Sequence, residues 1–443
     1  MAGVGERRHA SSVSRRRGGG WGWVVAAVVA LVPLVGVAGP ASAVDGDGQW
    51  YHQTLGTAQV HAAGHRGQGV TVAVIDASIT PSLPVLQGAD VQIMNGGRSL
   101  CKDPDTGANL PATGEALTFS TSHGSNVVAT IVGTGVGFEG QPSVRGIAPD
   151  ATVKFYAIGS PAGNLRNTAM CGGLGSAIVQ AVNDGAKIIS TQTSGPISAW
   201  TRQEVAWALN QGVVIVSSLP SQPGDLASIG ELNGTVGVQA VGVDGQVMGE
   251  GTSRGPYPVR KITVAAPGVG ILLQGDLSTH DWVPTRLGAG TSFATPIVAG
   301  VLAVVWSAHP EATPNQLLQV LVAHAVPGDP AVVGHGTVNL VGMVADDPTG
   351  YPDVSPLIVP EAKFREDLSA ADIAGAFSPD PFATAPTATV SPSPDSSGSS
   401  GADVTAGVPG WVWVVVAVVV VLLGAGVVVA VVVVARRGRG GAV

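Results

Sequence analysis

The central part of the chain, residues 50–345, alternates short apolar runs with helical patterns, and this alternation restricts the possible folds more than any other feature. The runs have the length of buried strands and lie at 70–75, 152–156, 186–189, 213–216, 236–241 and 262–265. Helical patterns occupy 125–132, 174–184, 201–211 and 296–307, and a further helix begins after the cap residue Thr313. This order predicts an α/β fold with a doubly wound, mostly parallel sheet and helices on both faces.

The first 43 residues have the plan of a secretory signal peptide. Arginines at 7, 8 and 15–17 precede an uncharged stretch over about 21–37, and Ala41-Ser42-Ala43 supplies a cleavage site of small residues. An N-terminal anchor that stays uncleaved is the alternative. Both interpretations export the residues that follow.

A second uncharged stretch, residues 411–435, lies near the C-terminus and runs directly into a basic tail, residues 436–443. A helix of about 20 residues crosses the hydrocarbon core of a bilayer, so the sequence predicts one transmembrane helix over 409–435. The arginines of the tail favour the cytoplasmic side. A buried core helix is the alternative, but such helices are seldom apolar on every side over this length.

Residues 346–408 are dominated by Pro, Ser, Thr, Asp and Ala. Few large apolar side chains remain there to offset the entropy cost of ordering, so we expect a disordered stalk between domain and membrane. The function is then carried by one domain, residues 44–345, with a short N-terminal extension. That extension is too brief for a folded inhibitory propeptide, so no large zymogen step is expected.

The exported part of the chain is acidic. Residues 44–408 contain 14 of the 22 basic residues and 29 of the 30 acidic ones, which gives a net charge of −15. A charge of this sign argues against nucleic acid as a partner and against docking on an anionic membrane face.

The two cysteines, Cys101 and Cys171, both lie in the exported part. In an oxidising compartment a pair of cysteines favours a disulfide, and the sequence shows no further ligands for a zinc site. Residues 135–140 match a dinucleotide-binding pattern letter by letter, but they follow a helical pattern and open no helix. The sequence therefore predicts a disulfide, no metal and no cofactor.

Three segments place a catalytic residue type at an element boundary. An apolar strand ends at Asp76, His123 opens a helix, and Ser292 lies in the glycine-led turn Gly-Thr-Ser-Phe-Ala-Thr-Pro at 290–296. Acyl transfer by a hydroxyl needs these three roles together, because an imidazole must take the hydroxyl proton and a carboxylate must orient the imidazole. We assign Ser292 as nucleophile, His123 as general base and then acid, and Asp76 as orienting residue. Each residue alone also has an ordinary structural explanation.

The segment 290–296, followed by Val298-Ala299-Gly300, resembles the nucleophile signature of the subtilases, and the chain order Asp, His, Ser is the subtilisin order. The similarity covers about residues 55–345 and implies a subtilisin-like fold and a serine endopeptidase. Signal peptide, domain, stalk, transmembrane helix and basic tail together resemble the mycosins, which are membrane-anchored subtilases associated with type VII secretion in actinobacteria.

Two departures from the family pattern concern the substrate site. Subtilases carry an asparagine that donates a hydrogen bond to the oxyanion, and Ser221 stands at that position here. Loss of such a donor costs about 10² to 10³ in rate. Where the family has Ser-Leu-Gly-Gly along the substrate-binding strand, this chain has Gln192, Thr193 and Ser194 before a glycine. Ser221 or Gln222 is the predicted replacement oxyanion donor, with the backbone N–H of Ser292 acting alone as the alternative, and residues 192–194 are the predicted substrate contacts.

Two functions follow from this pattern. The leading one is an endopeptidase that cleaves exported polypeptides near the membrane. The alternative is a weakly active or inactive subtilase that serves as a structural or binding subunit of a type VII secretion complex. A Glu/Asp/Ser protease of the sedolisin class is a weaker possibility, because that class lacks a histidine in the role of His123.

Overall fold

The computed structural model describes residues 47–377 and residue 379, apart from 104, 163–172, 193–196, 222–226 and 249–260. The predicted signal peptide, transmembrane helix and basic tail lie outside the described residues, and so does the predicted stalk beyond residue 379. Cys171, Thr193 and Ser194 fall in the internal gaps.

Thirteen strands are described. They are β1 (Thr71–Asp76), β2 (Val91–Ile93), β3 (Arg98–Lys102), β4 (Asn109–Pro111), β5 (Thr134–Val136), β6 (Pro142–Arg145), β7 (Thr152–Ala157), β8 (Ile188–Thr191), β9 (Val214–Ser218), β10 (Val236–Val241), β11 (Val264–Pro267), β12 (Val269–Asp276) and β13 (Asp281–Ala289). Seven of them form one sheet in the order β11-β10-β9-β8-β1-β7-β2, and all its pairings are parallel. The predicted doubly wound parallel sheet is therefore confirmed.

The described helices connect and cover these strands. They are α1 (Trp50–Thr54), α2 (Thr57–Ala62), α3 (Phe119–Val132), α4 (Gly173–Asn183), α5 (Ala199–Asn210), α6 (Thr291–Ala308), α7 (Pro314–His324), α8 (Pro330–Val333), α9 (Leu340–Ala345) and α10 (Ala370–Ala374). Short 3-10 turns lie at 84–86, 95–97, 138–140, 229–231 and 348–350. The predicted cap Thr313 is observed, because its side chain accepts a hydrogen bond from Gln316 N–H.

Both faces of the central strand β1 are buried, which explains why the strand sequences are almost wholly apolar. Val72 and Val74 pack in a core with α3 and α6, whereas Ala73 and Ile75 pack in a second core with α4 and α5. Successive side chains of a strand point to opposite faces, so a strand between two helical layers needs apolar residues at every position.

Helix α6 is long and apolar enough to span a bilayer, and it is the helix among the described residues that meets this test. It is 83% buried inside the domain, where it packs against α3 and the sheet. We therefore interpret α6 as a core helix, distinct from the predicted transmembrane segment at 409–435.

Residues 346–377, named here the C-terminal strap, correct the prediction of a stalk that begins at 346. Leu357, Leu368 and Ile373 are buried against the domain. The side chain of Asn233 donates hydrogen bonds to the carbonyls of Val359 and Leu368, at 2.8 and 2.9 Å, and accepts one from Val359 N–H at 2.9 Å. Composition misled the prediction because a few well-placed apolar side chains and a polar partner elsewhere in the chain are enough to order this segment.

Two smaller features bear on sequence predictions. Residues 135–140 form the end of β5 and a 3-10 turn that leads into β6, so they make a hairpin and open no α-helix. Cys101 is buried in β3, and the described residues include no free cysteine thiol. The disulfide stays a prediction, because its partner Cys171 lies outside the described residues.

Candidate active site

Asp76 is the last residue of the central strand β1, at the carboxyl edge of the sheet. Its side chain is buried, with 2% of the residue exposed. One carboxylate oxygen accepts a hydrogen bond from Ala77 N–H at 2.6 Å. This bond helps to hold the carboxylate in one orientation.

His123 lies in the second turn of α3 and faces that carboxylate. Its Nδ1 lies 3.0 Å from Oδ1 and 2.9 Å from Oδ2 of Asp76. Because a carboxylate only accepts hydrogen bonds, Nδ1 carries the ring proton and donates the hydrogen bond to Asp76. In the neutral ring Nε2 then has no proton and can act as a base. Gly124 makes the approach possible, since a Cβ there would lie 2.2 Å from the carbonyl oxygen of Ser78, just after β1.

The electrostatics of the pair favour a charged imidazole. Burial lowers the pKa of His123, but the negative charge of Asp76 and its hydrogen bond outweigh this, so the pKa lies above the ordinary histidine value. A group with this balance stabilises the imidazolium that forms when the ring accepts a proton.

Ser292 is the second residue of α6, at the helix N-terminus. The next residue, Phe293, places its ring 5.9 Å from the imidazole of His123. The described contacts contain no hydrogen bond between Ser292 and His123, so the structure joins Asp76 to His123 and brings the turn of Ser292 beside them. A loose contact between nucleophile and base is common in proteins without bound substrate.

The predicted oxyanion residue, Ser221, lies against the same helix start. Its Oγ accepts a hydrogen bond from Thr291 N–H at 3.3 Å and lies 2.6 Å from Thr291 Oγ1. Thr291 Oγ1 donates its single proton to the carbonyl of Leu219 at 2.6 Å. The Ser221 hydroxyl must therefore be the donor to Thr291, so its proton is already engaged.

Of the predicted substrate contacts, Gln192 is described, and it directly follows β8. In the register of the sheet Thr191 pairs with Ile75, so Gln192 lies next to the carboxyl end of β1. Its side chain is buried and donates to Ser190 Oγ at 2.7 Å, while its Oε1 finds no partner among the described residues. The structure thus places Gln192 beside the catalytic edge, with one polar atom unsatisfied.

Two residues at this site were missed by sequence reasoning. Thr291 braces the helix start between Ser221 and Leu219, and Phe119 stacks on the ring of His123 with centroids 5.7 Å apart. Thr291 lies inside the motif at 290–296, and its hydroxyl next to Ser292 is the sequence feature that could have indicated its role. Phe119 lies before the predicted start of its helix, so no pattern indicated it. No cluster of His, Cys, Asp or Glu among the described residues could hold a metal ion.

Comparisons with known proteins identify the family of the chain. Residues 67–344 match the model of the subtilase family, peptidase family S8. The thermostable alkaline protease of Halalkalibacterium halodurans is 29% identical over 66% of this chain and 72% of its own length. Subtilisin E of Bacillus subtilis is 26% identical over 63% and 67%, and Mycosin-1 of Mycobacterium tuberculosis is 28% identical over 68% and 74%.

A solved structure shows the same fold. The patellamide maturation protease PatG superposes with a TM-score of 0.50 at 22% identity, over 66% of this chain and 95% of that one. The family model covers more than half of the chain and includes Asp76, His123 and Ser292. The chain therefore belongs to the subtilase family of serine proteases.

Proposed function

We propose that this protein is a membrane-anchored serine endopeptidase that cleaves exported polypeptides with Asp76, His123 and Ser292. The observation that carries the proposal is the hydrogen bonding of His123 Nδ1 to both oxygens of the buried Asp76 carboxylate, beside the turn that presents Ser292. A histidine held in this tautomer at the end of the central strand is suited to act as a base.

The reaction follows from these positions. Ser292 Oγ attacks the carbonyl carbon of the scissile peptide while its proton passes to Nε2 of His123, and the Asp76 carboxylate stabilises the imidazolium. The imidazolium then gives its proton to the leaving amine, which breaks the C–N bond and leaves an acyl-enzyme. A water molecule, deprotonated by His123, hydrolyses this ester and restores the serine.

The negative oxygen of the tetrahedral intermediate needs hydrogen-bond donors. At the start of α6, Thr291 N–H is bound by Ser221 Oγ, and Phe293 N–H by the carbonyl of Gly290. Within the described contacts, the N–H of Ser292 has no protein acceptor. We assign this N–H as an oxyanion donor, supported by the positive end of the helix dipole. Ser221 becomes a second donor only when its hydroxyl turns away from Thr291.

Location and partners are part of the proposal. The predicted signal peptide and transmembrane helix place the peptidase domain outside the cytoplasm and the C-terminus inside. Similarity to Mycosin-1 supports an association with a type VII secretion membrane complex. The substrate is a polypeptide, as for other subtilases, and the charge of −15 on residues 44–408 argues against nucleic acid.

The second candidate function is that of a weakly active or inactive binding subunit of such a complex. The observation that favours it is Ser221, which stands where the family has its oxyanion asparagine and whose proton is engaged by Thr291. A protein with a retained triad and one missing donor keeps its fold and loses about 10² to 10³ in rate.

A fluorophosphonate probe on the full-length protein in detergent separates the two functions. The probe phosphonylates an activated serine with loss of fluoride, so we expect covalent labelling that Ser292→Ala abolishes, a loss of at least about 10³-fold. Ser278→Ala, which changes an exposed serine in the β12–β13 turn, is the matched control and should keep full labelling. Folded wild-type protein that takes no label would refute the endopeptidase and support the binding subunit.

A further inference from the structure

The imidazole of His123 contacts two aromatic rings that come from different helices. Phe119 is the first residue of α3, four positions before His123, so the two side chains lie one above the other on the same helix face. Their ring centroids are 5.7 Å apart and their planes are inclined by 17°. Phe293 of α6 also contacts the imidazole, with ring centroids 5.9 Å apart and planes inclined by 45°.

The exposure of the two phenylalanines differs. Phe293 is 8% exposed and belongs to the core, whereas Phe119 is 50% exposed. Phe119 therefore stabilises the fold little by burial, and its one recorded ring contact is with His123. A capping box fixes its position, since Thr118 accepts from Thr121 N–H and Thr121 accepts from Thr118 N–H.

Resting on the proposed function of His123, we propose that Phe119 is a positioning residue that holds the imidazole against Asp76 and stabilises its charged form during acyl transfer. The bonds from Nδ1 fix one end of the ring, but 16% of the His123 side chain remains exposed. The stacked ring of Phe119 lies against the imidazole and opposes its rotation towards solvent.

The stacked Phe119 ring also stabilises the positively charged form of His123. The face of a phenyl ring carries negative potential, so it attracts an imidazolium more than a neutral imidazole. The imidazolium exists in the transition state and not in the free enzyme with its base ready, so the stabilisation falls on the turnover number and leaves KM almost unchanged. Among the described residues, Asp76 is the titratable group whose charge acts on this ring; Phe119 and Phe293 carry none.

Phe119→Ala is the direct test, in the full-length protein in detergent. We expect the acylation rate with a fluorophosphonate, or kcat with a peptide, to fall about threefold to tenfold without a matching change in KM. Phe119→Tyr keeps the stack and should restore most of the rate. Phe377→Ala removes another exposed phenylalanine, 68% exposed, from the C-terminal strap and should have no effect.

A second measurement does not depend on activity. In protein with ¹³C-labelled histidine rings, the NMR titration of His123, assigned with His123→Gln, should shift to lower pH in Phe119→Ala and return in Phe119→Tyr. If the wild type titrates and stacks as described but takes no probe, the proposed function fails and the positioning role stands. If Phe119→Ala leaves both the titration and the acylation rate unchanged in folded protein, the positioning role is refuted.

Discussion

The proposed catalytic edge, formed by Asp76, His123 and Ser292, differs from the C-terminal strap, residues 346–377, in how its residues are held in place. Each proposed catalytic residue lies at or near the end of a regular element, and the segment around Ser292 matches a family signature. The strap contains one 3-10 turn and one short helix, and it lies beyond the family match, which ends at residue 344. The proposed site residues can thus be recognised from the sequence around them, whereas the order of the strap depends on a partner more than a hundred residues away.

The strap also shows how irregular backbone is held in place. Beyond the side-chain bonds of Asn233, its backbone N–H donates to Asp367 Oδ1 at 2.6 Å. The same carboxylate accepts from the N–H groups of Leu368 and Lys363. Asn233 and Asp367 therefore satisfy backbone groups that a helix or sheet would otherwise pair, which buried irregular segments require.

The largest effect should come from the catalytic edge. Asp76→Asn keeps the shape of the side chain but removes its charge and permits the wrong histidine tautomer. We expect the acylation rate to fall about 10⁴-fold, the size of this change in a Ser-His-Asp triad. Stopped-flow labelling with a fluorophosphonate measures it.

Asp150→Asn is the control for that change. Asp150 pairs with Arg66 at 2.7 Å on the surface, so its loss should alter the rate by no more than about twofold. A similar acylation rate in wild type and Asp76→Asn would show that the observed Asp76–His123 pair is structural. The two regions would then not differ in their role in the reaction.

The next effect tests the strap. Asn233 is 2% exposed, and Asn233→Ala removes three side-chain hydrogen bonds and leaves buried backbone groups of Val359 and Leu368 unpaired. At about 1 kcal/mol for each bond, the free energy of unfolding should fall by about 3 kcal/mol. Urea unfolding followed by fluorescence measures this loss, while the acylation rate per folded molecule should stay at the wild-type value.

Asn210→Ala provides the matched control for the strap. Asn210 is an exposed asparagine that touches the strap through one long contact, 3.4 Å to the carbonyl of Ala376. Its removal should cost less than about 0.5 kcal/mol. Equal losses of unfolding free energy in the two variants would mean that the hydrogen bonds of Asn233 do not hold the strap in place.

The same contrast explains which parts of the molecule the sequence could predict. The six apolar runs correspond to β1, β7, β8, β9, β10 and β11, because strands buried on both faces need apolar residues at every position. The strand β2 was missed because Val91–Ile93 is short and lies at the sheet edge. The sequence did not predict that the strap is ordered, because composition does not show where Leu357 packs or where Asn233 forms its hydrogen bonds.

At the site, the recognised motifs indicated candidate residues but could not predict their contacts. The helical pattern predicts α3 only from residue 125, whereas the capping box of Thr118 and Thr121 starts the helix at Phe119. The contact of Phe119 with His123 was therefore invisible. The use of the Ser221 proton by Thr291 likewise depends on two distant segments meeting.

The smallest effect concerns pH and separates the two regions without a mutation at the triad. Asp76 holds the pKa of His123 above the ordinary histidine value of about 6.5, and the base works only in its neutral form. At pH 6 less than about a quarter of the molecules then carry neutral His123, so acylation should be at least about fourfold slower than its plateau at high pH. The destabilisation caused by Asn233→Ala should be the same at pH 6 and pH 8, because an amide does not titrate. An acylation rate that peaks below pH 6, as in a protease without a histidine base, would remove His123 from the mechanism and leave the strap measurements untouched.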